Sequence, residues 1–350
     1  MPSERASTHP DNPLLAVLRG ERREPVPMWM MRQAGRYLPE YRALRQDKGS
    51  FLDLVYDADA AAEITLQPLK RFPQLDAAIL FSDILIVPFA IGQNLTFIAG
   101  EGPRLTPPLT GASLDDLTAY PARLDPIYET VRKVREELPS EKALIGFAGS
   151  PWTVATYMVA GQGSRDQGET RRLAYSDPAL FGAIIARIEE VTLDYLSAQV
   201  EAGAEALQLF DSWAGSLSPR QFEQWVIAPT ARLVAALHDR HPGVPIIGFP
   251  KGAGARYQTY REKTGVTALG IDWTVPLTAA KELQRSGAVQ GNLDPLRLLA
   301  GGKALSDGVG AILKALGDGP LIFNLGHGIT PETPIGHVEA MVKQVRSATR

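Results

Sequence analysis

The stretch Trp29-Met-Met-Arg-Gln-Ala-Gly-Arg-Tyr37 ends an apolar run abruptly and sets Arg32 and Arg36 four positions apart around Gly35. On a helix, that spacing would place both arginines on one solvated face. Gly35 weakens a helix interior, and Leu38, standing before Pro39, is pushed away from helical angles, so the pair reads as a loop. Two guanidiniums on such a loop suit bidentate recognition of carboxylates or phosphates, with roughly 1.5 to 3 kcal/mol per charge-assisted hydrogen bond. Asp83, in "FSDIL", is the natural counter-charge. It reads either as a helix N-cap or ion-pair partner, or as an unpaired carboxylate suited to a substrate that becomes cationic during reaction. In the second case, at about 4 Å and an effective dielectric near 20, its charge is worth roughly 4 kcal/mol.

His327, in "NLGHG", has glycine on both sides, which leaves ring and backbone open to a ligand and suits a hydrogen-bond donor or an acid. Tyr157 and Ser212 are more ambiguous, because a tyrosine on a helix and a serine in a turn are usually structural. His238 and His241 have a metal-like spacing but stand beside Asp239, Arg240 and Pro242 at a helix end, which reads as a solvated face rather than a zinc site. The "GAGA" of Gly252–Ala255 is too short for a phosphate loop.

The elements that must position these residues follow from periodicity. Eight short apolar runs have strand length: Val26–Met31, Ala77–Phe81, Ala143–Phe147, Ala206–Phe210, Pro245–Phe249, Ala268–Ile271, Ala288–Gln290 and Leu321–Asn324. Amphipathic helical patterns alternate with them at Asp57–Phe72, Pro126–Leu138, Asp177–Ala202, Pro219–His238, Ala253–Lys263, Leu277–Ser286, Ala304–Leu316 and Pro334–Val345. Strands buried on both faces and separated by helices imply a parallel sheet, and eight such units close most simply into an α/β (β/α)₈ TIM barrel. We therefore expect one barrel domain over 13–350, with residues 1–12 flexible. After the second run, "ILIVPFAIGQNLTFIAGEGPRLTPPL" reads as a β-rich hairpin insertion over one barrel end. After the third, "GQGSRDQGET" reads as an exposed loop between helical patterns.

In such a barrel the chemistry gathers where the strands end. There the sequence supplies Arg32 and Arg36, then Ser82 and Asp83, then Tyr157, then Asp211 and Ser212, then Lys251, then Asp272, then Asn292 and Asp294, and last His327. So dense a polar set favours an enzyme over a scaffold or a non-catalytic anion-binding barrel.

Composition narrows the class. The 350 residues carry 36 basic and 39 acidic side chains, a net charge of -3, so no global field favours nucleic acid or an anionic membrane, and anion recognition must be local. The sequence has neither a membrane-spanning apolar run nor a signal-peptide hydrophobic region, and a cytoplasmic location is expected. Zero cysteines exclude disulfides, thiolate nucleophiles and cysteine-based zinc or iron-sulfur sites.

The stretches "PMWMMRQAGRYLPEYR", "FSDIL", "GFAGSPWTVATYM", "FDSWAG" and "NLGHGI" together resemble the uroporphyrinogen decarboxylase family, in order and over nearly the whole chain. The resemblance implies a (β/α)₈ barrel, usually a homodimer, that uses no cofactor or metal. It also implies conversion of the four acetate side chains of the tetrapyrrole uroporphyrinogen III to methyls, giving coproporphyrinogen III in haem biosynthesis. It implies that Asp83 accepts the pyrrole N–H groups and stabilises a cationic intermediate, and that Arg32 and Arg36 bind carboxylates, with Arg32 also a proton donor or relay. Tyr157, Ser212 and His327 would contact propionate or acetate groups. The backbone of Gln33, Ala34 and Gly35 would line the pocket, with Gly35 letting the macrocycle approach. Phe51, in the loop after the first strand, would pack on the macrocycle. One departure is Trp213, where some family members carry histidine, so an essential acid at that position is not expected.

Two further readings remain. Methyltransferases of the same superfamily activate thiols on zinc held by His and Cys, a site that a chain without cysteine cannot build. An aldolase-type barrel would use Lys251 as a Schiff-base nucleophile.

Overall fold

Apolar runs with helices between them do form a parallel sheet, and its order follows the chain. The computed structural model describes residues 12–98, 100–109 and 114–348. Its strands are β1 (Ala77–Ile79), β2 (Asn94–Ile98), β3 (Gly102–Thr106), β4 (Ala143–Gly149), β5 (Ala206–Asp211), β6 (Ile246–Pro250), β7 (Ala268–Gly270), β8 (Val289–Leu293) and β9 (Leu321–Leu325). The main sheet has seven parallel strands in the order β1-β4-β5-β6-β7-β8-β9, while β2 and β3 form a separate antiparallel pair. All residues of β1, β4, β6, β7, β8 and β9 are buried, as strands covered by helices on one face and by each other's side chains on the other must be.

The first of the eight expected strands is not a strand. Val26–Met31 makes one parallel bridge, Met28 to Phe323 of β9, with Phe323 N–H donating to the Pro27 carbonyl at 2.8 Å and Trp29 N–H to the Phe323 carbonyl at 3.3 Å. On the other side, Asp76 N–H donates to the Met28 carbonyl at 2.9 Å, just ahead of β1. The ladder goes no further because side chains take the remaining donors. Met28 N–H goes to the Asp76 carboxylate, Met30 N–H to Gln33 Oε1 and Met31 N–H to Asn324 Oδ1, at 2.7 to 3.0 Å, while Pro27 has no N–H to give. A buried relay from Trp29 Nε1 to Gln290 Oε1, and from Gln290 Nε2 to Gln208 Oε1, ties this segment to β8 and β5 through the core.

Several expectations are corrected in detail. Of the residues expected to be flexible, Asn12 is fully buried and caps the helix Pro13–Leu18, with its side chain accepting from Leu14 and Leu15 N–H; residues 1–11 lie outside the described residues. The stretch after Asp83 opens with a helix, Ile86–Ile91, before the antiparallel pair, whose Leu105 N–H is anchored on the Gly161 carbonyl. Residues 99 and 110–113 of that stretch lie outside the description. The "GQGSRDQGET" loop is not wholly exposed, since Gln167 and Thr170 are buried and a helix begins at Gly168. The pattern Pro219–His238 breaks into Pro219–Phe222, a π turn at Glu223–Ile227, and Ala228–Arg240. Pro229 explains the break, because its missing N–H and its ring deny a regular bond to the residue four positions back.

Candidate active site

The arginine loop leaves the first apolar segment as a turn. Arg32 has φ +61°, Leu38 is extended (φ -82°, ψ 128°), and Pro39 then starts the helix Pro39–Lys48. Gln33 is fully buried and staples the turn down, Nε2 donating to the Ala77 carbonyl of β1 at 2.9 Å while Oε1 holds Met30 N–H. A side chain at Gly35 would meet the Arg32 carbonyl at 3.1 Å, so this glycine first of all lets the turn close. Ala34 and Gly35 are half-buried, whereas Arg32 and Arg36 are exposed, and neither guanidinium has an ion-pair partner among the described residues.

The "NLGHG" turn after β9 locks onto this loop. A Cβ on Gly328 would lie 2.3 Å from Arg32 Cδ, and one on Gly326 would lie 2.4 Å from the Trp273 backbone nitrogen. The two glycines therefore seat Arg32 and Trp273, where the sequence alone suggested room for a ligand. His327 between them is half-buried, its ring 6.4 Å from that of Phe249 and 6.3 Å from that of Trp273. Burial, and then the Arg32 and Lys251 cations, push the imidazole down to about 3 against the pull of Asp272. At neutral pH it is uncharged, a hydrogen-bonding group rather than the acid considered above.

Asp83 follows β1. Its Oδ1 accepts Leu85 N–H at 2.8 Å, ahead of the helix Ile86–Ile91, so part of the capping role is present. It forms no ion pair among the described residues. The carboxylate lies deep in the mouth while keeping part of its surface open. Burial pushes it up to about 6, opposed by the Leu85 N–H and the Arg32 guanidinium. Tyr157, on the helix Pro151–Ala160, is half-buried in the same field, its phenol raised by burial and by Asp83 and lowered by Trp213 and Arg32. The Trp213 indole N–H lies against that phenol without good hydrogen-bond geometry.

Ser212 and Trp213 follow β5 in a turn held from beneath. Thr153 Oγ1 accepts Trp213 N–H at 3.1 Å and donates to Asp211 Oδ1 at 2.5 Å, while Trp152 Nε1 donates to the Trp213 carbonyl at 3.1 Å. Asp211 is fully buried, and burial lifts its carboxyl to about 7 in spite of Thr153. Sequence reasoning missed Thr153 as a functional support, and "SPWTVATY" followed by "FDSW" carries only a weak signal for it.

The remaining strand-end residues divide. Asn292 is buried and donates to the Asp272 and Val275 carbonyls, Asp294 caps the helix Pro295–Ala300, and Ser82 Oγ lies 3.4 Å from Tyr195 Oη, all supporting roles. Phe51 is not in a loop. It opens the helix Phe51–Tyr56 behind a Ser50–Asp53 capping box, its ring 5.5 Å from Phe81 and 4.7 Å from Phe97. Those contacts place it on the β1 side, beside the hairpin. His241 bonds Ser197 at 2.7 Å, and among the described residues no three His, Asp or Glu side chains group as a metal site. A shallow cavity of about 550 Å³, lined by Arg71, Gln74, Glu339 and Lys343, lies at the opposite end, where Arg346 is tied to Asp76.

The mouth thus holds Asp83, Tyr157 and His327 each within the field of Arg32, with Arg36 and Ser212 on adjoining turns. The family model for uroporphyrinogen decarboxylase (URO-D) matches residues 9–348. The chain belongs to the uroporphyrinogen decarboxylase family. A uroporphyrinogen decarboxylase of Rhizorhabdus wittichii is 65% identical over 335 residues, 95% of this chain and 97% of that one. One from Mesorhizobium japonicum is 63% identical over 339 residues, 96% and 98% of the two chains. A solved methyltransferase from Methanosarcina mazei shares the fold at TM-score 0.78 and 19% identity, covering 96% of this chain and 98% of that one. A B12-independent methionine synthase from Shewanella sp. W3-18-1 aligns at TM-score 0.56 and 10% identity over 92% and 93% of the two chains. At such identities these two structures bear on fold alone. Among the described residues no helix is long and apolar enough to cross a membrane.

Proposed function

We propose that this family member removes the four acetate carboxyls of uroporphyrinogen III as carbon dioxide, giving coproporphyrinogen III. The supporting observation is the unpaired, deep-lying Asp83 carboxylate opposite the unpaired arginines of the first loop. Within the same reading, the curled sheet closes as a single-domain (β/α)₈ barrel, with Val26–Met31 in the first position.

The chemistry needs a transient cation and a place for an electron pair. Protonation of a pyrrole at a ring carbon makes the ring cationic. The bond between the acetate methylene and its carboxylate then breaks, its electrons neutralise the ring, and carbon dioxide leaves. Protonation of the resulting exocyclic methylene and loss of the proton added to the ring restore the pyrrole with a methyl group. The pyrrole is its own electron sink, so the scheme calls on no cofactor. Asp83 accepts the pyrrole N–H groups, and its charge counts most when the ring is cationic, which is differential stabilisation of the transition state. Burial raises its affinity for a proton, yet at about 6 it stays mostly ionised at physiological pH.

Arg32, whose guanidinium acts on Asp83, sits next to the reacting acetate and orients its carboxylate; it is also the candidate donor or relay for the proton. Arg36 and the backbone of Gln33–Gly35 hold the rim of the macrocycle. Tyr157, Ser212 and neutral His327 offer hydrogen bonds to other carboxylates, and Phe51 is placed to support the macrocycle from the β1 side. The working form is taken as a homodimer in the cytoplasm, on the resemblance. Anaerobic incubation with uroporphyrinogen III, followed by chromatography of the oxidised products, tests the assignment. Hepta- to tetracarboxylate products are expected, and their absence refutes it. Sedimentation gives the number of subunits.

A further inference from the structure

The scheme above leaves one cation at the mouth unused. Lys251 follows β6, between Trp213, which follows β5, and Trp273, which follows β7. Its ammonium lies 5.9 Å from the Trp213 ring centroid and 5.4 Å from that of Trp273, and it forms no ion pair among the described residues. Indole faces attract a cation but carry no net charge to neutralise it.

The turn beneath this lysine is firmly built. Gly252, at φ +75°, donates its N–H to Asp272 Oδ2 at 2.7 Å, and Gly215 donates to the Lys251 carbonyl at 3.0 Å. A Cβ on Gly215 would come within 2.8 Å of the Gly252 carbonyl oxygen, so the turns after β5 and β6 interlock. Asp272, the nearest acid in sequence on the neighbouring strand end, is already occupied by Gly252 N–H, the Tyr257 hydroxyl and both the N–H and hydroxyl of Thr274. The ammonium is thus held in place and left without a counter-ion.

Its place in the mouth is defined by what it acts on. His327 feels both Arg32 and Lys251, while Arg32 is the cation that acts on Asp83. The contacts trace the same row: Arg32 packs over Gly328 beside His327, the His327 ring lies 6.3 Å from that of Trp273, and the Lys251 ammonium lies 5.4 Å from the Trp273 centroid, so His327 and Trp273 separate Lys251 from Arg32. On the proposed reading, one pyrrole lies over Asp83 and His327 meets a carboxylate of the rim, so the rim continues along this row toward Lys251.

We infer that Lys251 binds a carboxylate on a pyrrole ring other than the one reacting at Asp83. The inference rests on reading Arg32, Asp83 and His327 as the substrate site. The interaction is a charge-assisted hydrogen bond from a positioned ammonium. Each ring keeps its propionate through all four rounds, so the contact is available to the octacarboxylate and to later intermediates alike.

The test is Lys251→Met, with Lys251→Gln where the methionine variant unfolds and Lys251→Arg as the conservative rescue. For the octacarboxylate and the pentacarboxylate porphyrinogens, kcat/KM falls roughly tenfold, mainly through KM. The activity also becomes less sensitive to ionic strength, and Lys251→Arg recovers part of the loss. Arg36→Ala is measured in parallel. If it raises KM while the Lys251 variants do not, this inference alone is overturned. If neither changes KM, the substrate-site reading falls with it. A loss of kcat at unchanged KM also overturns the inference, since that would place Lys251 in the chemistry and not in binding.

Discussion

Asp83 and Arg32 face the same space without pairing: the guanidinium lowers the carboxyl's proton affinity, yet no salt bridge joins them. A bonded pair would neutralise both charges and leave the mouth with little to offer a substrate that is anionic at its rim and transiently cationic at its centre. On the proposed scheme, holding them apart leaves each its field for one part of that substrate.

Asp83→Asn preserves the shape and the acceptor for Leu85 N–H while removing the charge. We expect kcat to fall at least about a thousandfold, the loss of roughly 4 kcal/mol of transition-state stabilisation. Turnover within a few-fold of the unaltered enzyme, measured by product chromatography, would sink the role assigned to Asp83.

The same substitution should make the free protein more stable at alkaline pH. The folded carboxyl titrates at about 6 against an ordinary value of 3.8, so the native state binds the proton more tightly than the unfolded chain. Ionised Asp83 therefore costs stability, fully above pH 6 and not at all below 3.8. Thermal unfolding at pH 8 should show Asp83→Asn above the parent by roughly 2 °C, with the gap closing as pH falls toward 4.

The ionised carboxylate being the working form, kcat/KM should rise with pH along an acid limb centred at about 6. His327, uncharged down to about 3, adds no limb of its own near neutrality. A profile flat between pH 5 and 8 would contradict the assignment.

Thr153→Val deprives Trp213 N–H and Asp211 Oδ1 of their shared partner. We expect a loss of roughly 2 to 3 kcal/mol in denaturant unfolding, with Thr153→Ser restoring most of it. A valine variant as stable as the parent would show that the turn carrying Ser212 is held by other contacts.

Gln33→Leu removes both bonds that fasten the arginine turn to β1 and to Met30. About 2 kcal/mol of stability should go, and KM should rise more than kcat falls, because the arginines lose position and not charge. An unchanged KM would mean that the turn is set without Gln33.

How much of this was legible in the sequence depends on whether a residue's role was local. The loop at Arg32–Arg36 followed from Gly35 and the Leu38–Pro39 pair, and the strand runs of the sheet from short apolar stretches between helical ones. Val26–Met31 has a strand's composition, but its N–H groups are claimed by Asp76, Gln33 and Asn324, two of them from distant segments, and no periodicity shows that. Phe51 reads as loop by composition, but the Ser50–Asp53 capping box starts a helix at it. The glycines around His327 mark a turn in the sequence, but what fills the space beside them, Arg32 and Trp273, is far away in the chain and shows only in the fold.

The seam between Met28 and Phe323 has a consequence in time. A ribosome releases Arg32 nearly three hundred residues before the strand and glycine turn that seat it. Asp83 and Tyr157 can find their places while the chain is still growing, but Arg32 lacks its seat on Gly328 until the end. If Arg32 binds carboxylates as proposed, a partly made chain lacks part of that grip on a polyanion, and full capture of substrate awaits molecules whose last strand has been added.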